Sequence, residues 1–339
     1  MQVDCSKVWG VMPGRVLLTG ATGFIGQHLH APLVQAGHSV RCLTRRPEEA
    51  RSRWPDRDWV GGDVGEPSSL VRAMEGCGTA YYLVHGMASA RPGWADDELR
   101  WAKDFADAAG AAGVRRVVYL GGVAPRGEPS EHLRSRLDTG EVLRGGPVPC
   151  LELRAGMIIG AGSASWTIVR DLAARLPAMV LPAWLSYRSE PVAVDDVVAA
   201  LVAAMRIELP RSTWWDIPGP EPLSGKEILL RVAAVMGRRP MLLEVPLVTP
   251  RLSSHWIRLV TRADYKLARE LVEGLTSDLL ATRPGYWAAA GLPPPMALEE
   301  AARRALAAEA GTLPLRGRLA EAVARLLTPR ARPGPPARG

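Results

Sequence analysis

Residues 15–29 read RVLLTGATGFIGQHL, and no other stretch restricts the fold as much. A strand-like run, Arg15 to Leu18, enters a turn with glycines at 20, 23 and 26, and a helical pattern follows. Gly20 permits a tight turn, Gly23 lets a ligand approach the backbone, and Gly26 lets the helix lie close on the strand. The start of that helix presents unpaired N–H groups and the positive end of a dipole, which suits a pyrophosphate. The expectation is a dinucleotide cradle built from Thr19, Gly20, Thr22, Gly23, Phe24, Ile25 and Gly26. A plain glycine-rich turn is the alternative.

The rest of the first half fits that beginning. Strand-like runs recur as SVRCLTR, WVGGDV, TAYYLVHG, VRRVVYLGG and CLELRAGMIIG. Helical patterns separate several of them, at 26–36, 68–75, 96–112 and 131–144. Apolar strands alternating with amphipathic helices predict an α/β fold with a doubly wound parallel Rossmann sheet covered on both faces. Pro32 falls inside the first helix and predicts a kink there. Beyond Gly162, prolines and tryptophans cluster at 177–184 and 210–222. A smaller, mainly helical substrate region is expected there.

The predicted organisation is a dinucleotide-binding domain over 12–170, with 190–208 returning to it as a short strand, an Asp-capped turn and a helix. A substrate-binding region spans 171–310, and 312–339 form a basic amphipathic helix and a disordered tail. That tail holds six arginines against one glutamate and so accounts for most of the net +7. The body is nearly neutral, which argues against nucleic acid as a partner. Leu315, Leu319, Val323, Leu326 and Leu327 share one helical face of the tail. Such a face either lies on anionic lipid or packs on the domain or a second subunit. No apolar run is long enough to span a bilayer. The four cysteines, 5, 42, 77 and 150, have neither Cys-x-x-Cys nor metal-ligand spacing. The six histidines have no such spacing either. A reduced cytoplasmic protein is expected, with peripheral membrane contact through the tail as a variant. It would be a monomer or homodimer with no metal.

Further residues belong to the cofactor site. The second strand ends in Thr44-Arg45-Arg46, where an NAD-preferring chain carries an acid. Arg45 and Arg46 suit a 2′-phosphate, so NADP(H) is expected, with NAD(H) as the alternative. A solvated basic loop is the simpler account. Asp63-Val64 either flanks the adenine or begins an ordinary Asp turn. Val84 and His85 close the TAYYLVHG strand, and Ala155 and Gly156 form a turn after LELR. Ligands bind beyond the carboxyl ends of such strands. His85 thus faces the nicotinamide half of the cleft, or is a strand-end histidine satisfied by backbone.

Taken together, the Thr-Gly-x-x-Gly-x-x-Gly turn, Asp63-Val64 and LRAGMIIGAGS resemble the extended and atypical short-chain dehydrogenase/reductases. YYLVHGM, SEHLRSR and ELRAGMIIGAGSAS are similar to a bacterial NAD(P)H-binding group related to NmrA-like proteins and to the reductase-like accessory subunit of respiratory complex I. The resemblance covers about residues 14–310. It implies a Ser after the apolar strand residues VVYL and a Tyr-x-x-x-Lys pair on the next helix. This chain has Gly121-Gly122, His132 and Arg136 at those places. His132 could pass a proton, since imidazole titrates near neutrality. Arg136 stays cationic and could hold the cofactor ribose. The alternative is that both serve cofactor binding only, or that His132 is a surface residue.

Three function classes follow. One is an NADP(H)-dependent oxidoreductase acting on a hydrophobic carbonyl, enone or quinone-like substrate. The second is a silent NAD(P)H-binding redox sensor or scaffold. The third is an NAD(P)H–quinone electron-transfer or assembly factor. Trp166, Trp184, Trp214, Trp215, Trp256 and Trp287 either line an apolar pocket or pack the core.

Overall fold

The computed structural model describes residues 14–85, 93–175, 178–181, 183–244 and 277–310. In chain order the first half is β1 (Arg15–Leu18), α1 (Phe24–Gln35), β2 (Ser39–Thr44), α2 (Pro47–Arg53), β3 (Asp58–Gly61), α3 (Pro67–Met74), β4 (Cys77–Tyr82), α4 (Trp94–Ala111), β5 (Arg116–Gly122), α5 (Glu131–Arg144) and β6 (Cys150–Ala155). The second half is β7 (Ile158–Ile159), α6 (Ala164–Arg175), β8 (Ala178–Leu181), β9 (Arg188–Ser189), β10 (Val192–Ala193), α7 (Val194–Ala203), β11 (Thr213–Asp216), β12 (Leu223–Ser224), α8 (Gly225–Val235), β13 (Met241–Glu244), α9 (Tyr286–Ala289) and α10 (Leu298–Glu309).

Seven parallel strands form the central sheet in the order β11-β6-β5-β4-β1-β2-β3. The order reverses between β1 and β4, and such a switch point opens a crevice at the carboxyl ends of the strands. Two apolar layers cover the sheet. Val16, Leu18, Tyr81, Val118 and Leu151 pack with α1 and α7. Leu17, Tyr82, Val117, Tyr119 and Cys150 pack with α3 and α4 on the other face. The alternation follows from the side-chain period of two along each strand.

The sequence reading did not anticipate β11. Its residues, TWWD, sit between prolines and count there only as aromatics. In the structure Trp214 and Trp215 are strand residues paired with Glu152 and Leu153. Guanidiniums stack on them: Arg154 lies 4.1 Å from the Trp214 ring centre, and Arg283 lies 4.7 Å from that of Trp215. Trp166 is fully buried and donates to Glu309 at 2.9 Å, and Trp287 donates to the Pro218 carbonyl at 3.1 Å. These four aromatics pack structure. Trp256 and the Trp184 side chain lie outside the described residues, as do the segment 251–275 and the 312–339 tail.

Helix α7 is tied to the sheet and to α9. Its Leu201 carbonyl accepts from the buried Tyr81 hydroxyl at 2.7 Å, and its Ala200 carbonyl accepts from Tyr286 at 2.8 Å. Arg116 on β5 donates to the carbonyls of Ala204 and Ile207 at its end. Helices leave their last carbonyls unpaired, so a sheet arginine there anchors the element. Helix α1 runs on past Pro32 to Gln35 without a break. Cys42, Cys77 and Cys150 are buried free thiols, and burial pushes Cys42 and Cys150 up to about 12.

Candidate active site

The glycine turn has the geometry its spacing implies. Gly20 has φ +63° and lies against the Leu83 carbonyl, where a Cβ would collide. A Cβ on Gly26 would strike Gly20 and Ala21, so this glycine brings α1 onto the strand. At Gly23 a Cβ would meet only the Gly20 oxygen, at 3.1 Å. Gly23 is also the N-cap of α1, with no capping side chain and no acid in the first turn. The helix start is thus left for an anion to satisfy. Thr19 has another task. Its buried hydroxyl donates to the Tyr81 carbonyl at 2.8 Å and accepts from Leu83 N–H at 3.1 Å, clamping β1 to β4 below the turn. Thr22 and Ile25 lie in the turn and first helical residues. Phe24 packs toward the loop of Gly160 and Gly162.

At the end of β2, Arg45 is exposed. Arg46 donates from its backbone to Thr44 Oγ1 at 3.2 Å and pairs with Glu49 at 3.3 Å, with both side chains largely exposed. Asp63 forms an Asx turn, its Oδ1 accepting from Gly65 N–H at 2.9 Å, with the buried Val64 between them. Ala155 is buried at the end of β6, and a Cβ on Gly156 would meet only the Glu190 carbonyl oxygen, at 3.9 Å. Val84 and His85 follow β4 and are partly buried.

His85 and His132 meet. His85 Nε2 lies 3.1 Å from His132 Nδ1, with ring centres 4.6 Å apart. The other nitrogen of His85, Nδ1, lies 3.0 Å from Glu98 Oε1. Ser135 donates to the second oxygen of Glu98. The result is a chain, Ser135–Glu98–His85–His132, assembled from α4, the end of β4 and the first turns of α5. Ser130 positions α5 by capping it, accepting from Leu133 N–H. Burial, reinforced by His85 and then Arg136, pushes His132 down to about 3. Burial also lowers His85, while its hydrogen bond to Glu98 works the other way. At neutral pH both rings are therefore uncharged. Arg136 donates to the Leu120 carbonyl at 2.9 Å, and its own carbonyl accepts from Tyr119, whose hydroxyl burial pushes up to about 12.

Gly121 and Gly122 do not both open a space for substrate. A Cβ on Gly121 would lie 2.6 Å from Glu152 Oε1, so a buried carboxylate occupies the room a serine would need. A Cβ on Gly122 would face Arg136 and Leu133 at 3.5 Å. Glu152 pairs with Arg154 at 2.9 Å and with Arg144. Sequence reasoning missed Glu98 and Glu152. Glu98 is one acid among several in WADDELRW, and only the helical phase of α4 distinguishes it. Among the described residues, no group of three or more His, Cys, Asp or Glu side chains is arranged to hold a metal ion.

A family of NAD(P)H-binding domains matches residues 20–174. A ceramide reductase of Caulobacter vibrioides is 31% identical over 237 residues, 69% of this chain and 74% of that protein. The protein belongs to the short-chain dehydrogenase/reductases, in their atypical, extended branch. A (4-alkanoyl-5-oxo-2,5-dihydrofuran-3-yl)methyl phosphate reductase of Streptomyces griseus is 30% identical over 66% of this chain and 74% of its own length. Among solved structures, a UDP-glucose 4-epimerase of Thermotoga maritima superposes with a TM-score of 0.67 at 15% identity, over 88% of this chain and all of that one. WbmG of Bordetella bronchiseptica, solved with NAD, gives 0.65 at 16% identity, over 90% and 96% of the two chains. Both share the fold. As a member of an NAD(P)H-dependent reductase and dehydrogenase family, this short-chain reductase relative has a cradle that fits the cofactor: an uncapped helix start, an open Gly23 and two glycines that close packing demands. Among the described residues, no helix is long and apolar enough to cross a membrane.

Proposed function

We propose that this protein is an NADP(H)-dependent reductase of a hydrophobic carbonyl or enone compound, with His132 as the group that exchanges a proton with the substrate oxygen. The observation that carries the reading is the contact between His132, at the start of α5, and His85, at the end of β4. A lone buried histidine would be a poor proton donor. One linked to a second imidazole and a carboxylate has somewhere to draw its proton from. Ceramide and an alkanoyl-bearing ring appear in the names of the two related reductases, which supports an apolar, chain-bearing substrate.

The residues of this chain take distinct parts. Gly20 to Gly26 and the start of α1 hold the pyrophosphate. Arg45, exposed at the end of β2, binds the 2′-phosphate, while Arg46 shares its charge with Glu49. Arg136, anchored on the Leu120 carbonyl, orients the ribose. When bound, the nicotinamide supplies a hydride.

The test is absorbance of NADPH against ketones, enones and quinones bearing alkyl chains, with His132→Phe alongside. Oxidation that depends on substrate and falls about 10²-fold or more in the variant supports the assignment. Tight NADPH binding without turnover on any substrate points instead to a silent binder, a reading favoured by Glu152 filling the serine's place. Quinone-only oxidation points to an electron-transfer role. Arg45→Ala should weaken NADPH about 10-fold or more, as loss of a charge-assisted bond implies, and barely affect NADH.

A further inference from the structure

We propose that Glu98 is a positioning residue that sets the tautomers of His85 and His132 and makes the two rings a store for one transferable proton. The inference deepens the reductase reading and rests on it for its catalytic meaning. Its structural half stands alone.

What each group can donate decides the tautomers. An ionised carboxylate only accepts, so Glu98 Oε1, 3.0 Å from His85 Nδ1, requires a hydrogen on that nitrogen. A neutral His85 then has a bare Nε2. That atom is 3.1 Å from His132 Nδ1, which must supply the hydrogen between them. His132 Nε2 is therefore bare as well and ready to accept. Both rings are forced into the Nδ1–H form, against the preference of free histidine side chains for Nε2–H. Ser135 holds the other oxygen of the carboxylate and so fixes its orientation. Among the described residues, the charged and titratable groups that act on the chain include Arg136 on α5, Tyr82 on β4 and Tyr119 on β5. The arginine opposes a positive charge on either ring, and burial keeps both tyrosines protonated. The carboxylate is what makes room for an added proton.

Adding one proton loads the chain. His85 then carries hydrogens on both nitrogens beside Glu98, and His132 carries its hydrogen on Nε2. In a reduction, the His132 Nε2–H bond breaks and the proton joins the substrate oxygen as hydride joins the carbon. The His85 Nε2–H bond breaks in step, and that proton moves to His132 Nδ1. His85 keeps its Nδ1–H on Glu98. One proton has left, the neutral-ring state is restored, and water reloads it. Alcohol oxidation runs the same steps backwards and starts from the unloaded chain.

The experiment is imidazole ¹⁵N NMR of the full protein without cofactor at pH 7.5, with signals assigned through His85→Gln and His132→Phe. The expected result is an Nδ1–H tautomer at both rings. In Glu98→Gln the amide oxygen keeps the Ser135 hydrogen bond and the NH₂ faces His85, so both rings should switch to Nε2–H. An Nε2–H signal from either ring in the unchanged protein overturns the proposal, and this measurement needs no variant to fold beyond the assignment. Failure of the rings to switch in a folded Glu98→Gln overturns it too. With a substrate in hand, Glu98→Gln should lower reductive kcat by about 10²-fold, within the range of lost acid–base catalysis, with KM and NADPH affinity within about 2-fold. If the tautomers behave as expected and nothing oxidises NADPH, the reductase reading fails and the relay stands. If reduction proceeds with the wrong tautomers, the relay alone fails.

Discussion

Helix α5 meets a buried glutamate near each end, and the two are treated in opposite ways. Glu152, with no exposed surface, faces the guanidiniums of Arg154 and Arg144 and the bare backbone of Gly121 and Gly140. Glu98, 4% exposed, faces an imidazole and a hydroxyl. Arginine keeps its charge throughout the working pH range, so the Glu152 cluster is a permanent ion pair that locks β5, β6 and α5 together. A neutral imidazole has one N–H to give and one bare nitrogen to accept, so the Glu98 cluster can pass a proton where an arginine cannot. The comparison teaches that a buried carboxylate does not itself mark a reactive site. The partner decides whether it holds structure or moves protons.

The largest expected effect separates the two clusters by stability. Glu152→Ala takes the buried carboxylate away from the buried Arg154 and the half-buried Arg144 and should cost about 3–5 kcal/mol. Glu98→Ala leaves neutral donors unpaired and should cost about 1–3 kcal/mol. Denaturant unfolding of both measures the gap, and equal losses would mean that the two carboxylates are held alike.

Acid should act on the histidine end. His132 falls from 6.5 in the unfolded chain to about 3 in the folded one. Between those values the unfolded chain binds the proton and the folded chain does not, so stability is full above 6.5 and is lost as pH falls toward 3. The share due to His132 is on the order of a few kcal/mol at the acid end. Thermal melts from pH 7 to pH 4 should show a shallower loss for His132→Phe than for the unchanged protein. Parallel curves would mean that His132 charges as freely in the fold as outside it.

Smaller effects test how tightly each end is packed. A Cβ on Gly140 would lie 2.5–2.6 Å from the Glu152 carboxyl group, so Gly140→Ala should cost about 1–3 kcal/mol through overpacking. Gly121→Ser should cost a similar amount, and restoring the family's usual residue should not raise turnover, because the carboxylate already fills the place. Ser130→Ala removes the cap of α5 and should cost about 1 kcal/mol. Turnover should fall with it, since His132 sits in the first turn. A stability loss without a turnover loss would show that His132 is held by the relay and not by the helix end.

Much of this molecule could be read from short stretches of sequence. The glycine turn is legible because three local demands, a positive φ, an open approach and a close packing, fall within seven residues. The alternation of β and α elements is legible because buried parallel strands leave apolar runs. Helix α5 occupies the very range its pattern predicts. His85 and His132 could be singled out one by one, each from its place at an element's end. Their contact could not, since they are 47 residues apart. Nor could β11 be recognised, because its four residues sit inside the proline cluster of 210–222, where breakers on both sides hide a strand pattern.

The shape of the glycine turn thus follows from sequence alone, because it is made of backbone and of neighbours in the chain. Only the tertiary structure decided which acids matter. Glu98 and Glu152 are ordinary residues of an amphipathic helix and of a strand until folding removes water from them. Once water is gone, a carboxylate must take the partners that other elements bring. Which partner arrives, an arginine or a histidine, depends on the packing of α4, α5 and β6, and no local pattern records it.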